Sequence, residues 1–106
     1  MTDKVVVLST AGSQEEANKI ATALVERRLA ACVNIIPRIQ SVYRWEGKVE
    51  SAEEFLLVIK TVKARQEEVQ SAIRKLHSYE LPEFIAISIE RGTADYLAWI
   101  EECVRD

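Results

Sequence analysis

The side chains change their period several times along the chain, and each change predicts an element. Lys4 to Thr10 (KVVVLST) is short and β-branched, which predicts a strand. Ser13 then opens a helix, with Glu16 three residues on completing a capping box. Ala17, Ile20, Ala21 and Leu24 follow at helical spacing, with Glu, Lys and Arg on the other side. The segment ACVNIIPRIQSVYRWEGKVESAEEFLLVIKTV reads as two long strands. Pro37, inside the first of them, marks a bulge or an edge position where no ladder donor is needed. Glu46-Gly47 is the best turn, making a hairpin of Tyr43-Arg44-Trp45 and Lys48-Val49 whose arms are long enough to project from a compact sheet. A second helix runs from about Lys63 with Val69, Ala72, Ile73 and Leu76 on its apolar stripe, ending around His77-Ser78 before a proline. Phe84 to Glu90 (FIAISIE) alternates as a strand, and Thr93 caps a last helix carrying Leu97, Ile100 and Val104.

The order βαββαβ plus a terminal helix predicts one α+β domain, the ferredoxin-like plait, with helices over one face of an antiparallel sheet. The opposite face then raises a problem, because a solvated sheet face normally shows alternation of apolar and polar residues. VVVL, FLLVI and FIAI are apolar at successive positions, so both faces carry apolar side chains. Leu56, Val58, Phe84 and Ala86 left in water would form a patch that monomers rarely expose. Self-association through the open face is the expected resolution.

Composition narrows the function by exclusion. In 106 residues, 14 Lys and Arg stand against 17 Asp and Glu, a net charge of -3 that speaks against a protein built to grip phosphate backbones. No apolar run approaches the ~20 residues that cross a bilayer, and the N-terminus has neither a signal nor a transit pattern, so the expected address is the cytoplasm. Cys32 and Cys103 are too far apart for paired zinc spacing and read as buried free thiols, in a fold that requires neither metal nor disulfide.

Chemistry has few candidates. Base stacking by an RNA-binding plait needs aromatic residues on the central strands in a glycine-containing pattern, and the first strand has none. A phosphate cradle after that strand needs an Arg, whereas the loop is STAGSQEE. With a single histidine, any nucleophile–base pair must use His77, and no elbow motif surrounds a nucleophile, so no enzyme is expected. His77 itself has two readings: a helix-end residue favoured by the dipole, or a metal ligand with Glu80 or Glu83 beside it. Tyr43 and Trp45 read as packing rather than a stacking platform, and Trp99 as support for the core or an interface.

Five segments occur in order and at matching intervals: ACVNIIP (31–37), SVYRWEGKVE (41–50), LLVIKT (56–61), HSYELPE (77–83) and YLAWI (96–100). Together they resemble the CutA family, the divalent-cation tolerance proteins, over essentially the whole chain. The resemblance implies the plait above, assembled as a PII-like homotrimer with sheets facing inward and the hairpin reaching a neighbour. It also implies a part in tolerance to copper and other divalent cations. The family's copper ligands are a Cys ending the first strand and two adjacent His; Ser9 and Leu76-His77 stand there in this chain, so His77 is the one candidate metal ligand and any copper binding is expected to be weak. On this reading LHSYELPEF is a subunit-boundary corner beside a ligand cleft of Cys32, Tyr43, Trp45, Lys60, Tyr79, Glu80 and Glu83. The alternative is a PII-like trimeric sensor of a small molecule.

Overall fold

A computed structural model describes residues 2–105. Its strands are β1 (Lys4–Ala11), β2 (Cys32–Trp45), β3 (Lys48–Val62) and β4 (Ile85–Ser88). They form one antiparallel sheet in the order β2-β3-β1-β4. The helices are α1 (Gln14–Glu26), α2 (Gln66–Leu76) and α3 (Ala94–Cys103), and a 3₁₀ turn at Lys63–Arg65 leads into α2. The α+β plait expected from the periodicities is the observed fold.

Alternation along the central strands sorts the two faces. Val5, Val7, Leu57 and Ile59 point to the helix layer, where Ile20 and Leu24 of α1 and Val69 and Ile73 of α2 complete a fully buried core. Each such side chain contributes about 1.5–3 kcal/mol by leaving water. α3 packs elsewhere: Ile100 and Val104 cover Ala31 and Val62, and Lys4 Nζ meets Glu101 at 3.1 Å. What remains of the open face is a patch of Val6, Leu8, Leu56 and Val58, half-buried, flanked by Ile36, Ile85 and Ile87 at 45–49 % exposure.

This corrects one part of the sequence reading. Leu56 and Val58 do face outward, but β4 pairs Val7 with Ala86 and Leu8 with Ile85. Phe84 and Ala86 therefore pack against the core, and Ile85 and Ile87 take the open face in their place. A strand's register against its neighbour, which local alternation does not supply, decides this. β4 is also shorter than the expected 84–90 run.

The hairpin behaves as its turn chemistry requires. Glu46 and Gly47 both have positive φ, 49° and 81°, the primed turn whose twist matches the strands. Pro37 sits where the β2–β3 register shifts between Ile36 and Ile39, with Arg38 at φ 57°. The projecting arms stretch the molecule to 44 × 25 × 22 Å. Two caps differ from expectation. Ser13 Oγ accepts from the Glu16 N–H at 3.1 Å, but the Glu16 carboxylate turns away to Ser78 instead of closing the box. Thr93 precedes α3 without a side-chain cap bond. Cys32 and Cys103 are free, and half-buried rather than buried. Trp99 is 43 % exposed and stacks on Tyr96 at 5.4 Å, so it lies outside the core.

Candidate functional site

The corner between α2 and β4 is built around a buried imidazole. α2 stops at Leu76, and His77 turns extended while its N–H still reaches Ile73 O at 2.9 Å. The ring has no exposed surface. Its Nε2 lies 2.6 Å from Thr10 O, and its Nδ1 accepts from the Tyr79 N–H at 3.0 Å. One neutral tautomer, protonated on Nε2, satisfies both contacts. Glu16, at the start of α1, clamps the same corner by accepting from Ser78 N at 2.8 Å and Ser78 Oγ at 3.0 Å. Ser9 Oγ holds the far side, donating to Glu83 O at 2.7 Å.

These ties aim Tyr79 across the sheet. Its hydroxyl donates to Glu54 Oε2 at 2.7 Å, beside Gly12, where an added Cβ would sit 3.1 Å from the phenolic oxygen. Between this corner and the hairpin stem opens a cleft of about 680 Å³. Thr10, Ser41, Val42, Tyr43, Trp45, Glu54 and residues 79–83 line it. The cleft is acidic and aromatic: Glu54, Glu80 and Glu83 face it with Tyr43, Trp45 and Tyr79, and among the described residues no Lys, Arg or His does. Burial, then the charge of Glu54, pushes the Glu83 carboxyl above the usual carboxylate range. Burial, then the bond to Glu54, raises the Tyr79 phenol well above its ordinary value, so it remains a donor.

Five of the seven residues expected to share a cleft do so: Tyr43, Trp45, Tyr79, Glu80 and Glu83. Cys32 and Lys60 do not. They sit opposite one another across β2 and β3, and Lys60 Nζ bonds Asn34 Oδ1. Lys60 is six residues from Glu54 along β3, about 20 Å at strand rise. His77 lies behind the cleft wall rather than in it. With Nε2 on Thr10 O and Nδ1 on the Tyr79 N–H, it presents no free lone pair to a metal. Nor does any group of three or more His, Cys, Asp or Glu among the described residues converge as a metal site. The donor set therefore does not fit copper in this corner. Glu16 and Glu54 stand at the corner and the cleft although the sequence reading named neither as a site residue: each looks like one more solvated carboxylate, and only long-range pairing buries Glu54 to 7 % exposure.

Fold and site together define a small ferredoxin-like protein with an uncovered apolar sheet face and an acidic cleft at its hairpin stem. Among the described residues, no helix is long and apolar enough to cross a membrane. The family model described as CutA1 divalent ion tolerance protein matches residues 5–103. The divalent-cation tolerance protein CutA of Thermus thermophilus is 46 % identical over 97 residues, covering 92 % of this chain and 94 % of that one. Its counterpart in Archaeoglobus fulgidus is 50 % identical over 95 residues, covering 90 % and 92 %. The crystal structure of CutA from Xylella fastidiosa matches with a TM-score of 0.96 at 38 % identity, covering 98 % of this chain and 100 % of that one. The chain belongs to the CutA1 divalent ion tolerance protein family.

Proposed function

We propose that this chain works as a non-enzymatic homotrimer in the cellular response to divalent cations, copper among them, in the cytoplasm. The observation that carries the assembly is the open face of Val6, Leu8, Leu56, Val58, Ile85 and Ile87, which no element among the described residues covers. An apolar sheet face of this size finds its complement most simply in the same face of another copy. The number three comes from the family likeness. Copper receives no site at His77 in this reading, because both ring nitrogens are already engaged. The role in tolerance rests on family membership, and the half-exposed thiols suit a reducing compartment.

Light scattering on the full chain at micromolar concentration tests the assembly. The expected mass is three times 12.0 kDa, about 36 kDa. A particle of 12.0 kDa refutes the proposal.

A further inference from the structure

Glu54 is the one charged residue among the described residues that is buried. It is only 7 % exposed, and its one hydrogen-bond donor among the described residues is the neutral phenol of Tyr79, on Oε2. Its other oxygen, Oε1, takes no hydrogen bond from any described residue and reaches the surface of the cleft, since no buried side-chain oxygen among the described residues lacks a partner. A buried carboxylate is stable when a cation or several donors compensate it. Glu83, on the same cleft, carries a charge of the same sign, and Glu54 raises its carboxyl. Among the described residues, the cleft on which Glu54 opens is lined by no cationic side chain. A positive group entering the cleft would meet the open Glu54 oxygen, with no Lys, Arg or His among the described lining residues competing for it.

The geometry chooses between kinds of cation. A calcium ion takes six to eight oxygen ligands at about 2.3–2.6 Å, carboxylates and carbonyls of the protein prominent among them. No three acidic or metal-binding side chains among the described residues converge on one point. The cleft is instead about 680 Å³, the size of small-molecule sites. Tyr43 and Trp45, each 43 % exposed, stand on its hairpin wall, and aromatic faces attract organic cations. Leu81 and Val42, 68 % and 67 % exposed on its rim, offer apolar contact.

We propose that the cleft between the hairpin stem and the 77–84 corner binds a small organic cation, an ammonium or amidinium group on an apolar body. Glu54 is its counter-charge, and Tyr43 and Trp45 are its aromatic wall. The inference rests on the lining of one chain and does not draw on copper tolerance.

Calorimetry on the full chain, in whatever assembly it adopts, tests this with three probes: benzylamine, its neutral counterpart benzyl alcohol, and magnesium chloride. Benzylamine is expected to saturate one site per chain, at least about tenfold more tightly than the alcohol, and magnesium is expected not to displace it. Glu54→Gln, which keeps an acceptor for Tyr79, should weaken benzylamine by about thirtyfold or more and leave the alcohol unchanged. Trp45→Leu, at a half-exposed hairpin position, should weaken it by about two- to fivefold while the circular dichroism spectrum is retained. Equal binding of amine and alcohol, the same benzylamine affinity in Glu54→Gln, displacement by magnesium, or no benzylamine binding to the wild type would each overturn the proposal.

Discussion

Replacing His77 by alanine separates the two readings of that residue. The ring is fully buried and makes two hydrogen bonds, to Thr10 O at 2.6 Å and from Tyr79 N at 3.0 Å. Removal leaves the Thr10 carbonyl without its partner in a residue only 7 % exposed, at about 1–3 kcal/mol for an orphaned buried acceptor. Tyr79 is 37 % exposed, so its N–H regains water and the loss there is nearer the net value of an ordinary bond, about 1 kcal/mol. The emptied ring volume adds a packing loss, for a total of about 3–5 kcal/mol. Urea unfolding followed by circular dichroism, at one fixed protein concentration, measures it. His77→Gln, whose amide can still donate towards Thr10 O, should recover part of the loss. Copper titration of both proteins by calorimetry completes the test, and the expected isotherms are the same. A stability loss below about 1 kcal/mol, or copper binding present in the wild type and absent in His77→Ala, refutes the structural role argued for this ring.

Two further outcomes follow from the geometry. Val58→Asp should dissociate the assembly while the chain remains folded, whereas Ala86→Asp, which points at the helix layer, should unfold it; an unpaired charge buried there costs several kcal/mol, and light scattering with circular dichroism distinguishes the two results. Glu83→Gln should become increasingly stabilising as pH rises from 4 to 7. The raised folded-state pKa means the native wild type holds its proton above 4.5 when the unfolded chain has lost it, so wild-type stability falls with rising pH through that window; urea midpoints with no pH-dependent difference would contradict this.

The sequence by itself determined the elements and their order. Local signals suffice for that: β-branched runs, helical spacing of Ile20 and Leu24, a Glu-Gly turn, and a proline that forces a bulge are decided within a few residues. It also showed that the central strands are apolar on both sides, and so that the sheet has an uncovered face. The site was legible only in part. The corner 77–83 and the hairpin aromatics were visible as polar and aromatic residues in turn-rich places, and the fold does bring them together. Tertiary structure alone decided the rest. Which of Ile85 and Ala86 meets the core depends on pairing with β1, nearly 80 residues away in sequence. Whether His77 is a ligand or a strut depends on Thr10 O, and that carbonyl is placed by β1. Glu54 is one carboxylate among many until Tyr79 arrives over it from the far side of α2. Burial and hydrogen-bond satisfaction are properties of contacts between distant segments, and they give otherwise ordinary residues their chemistry.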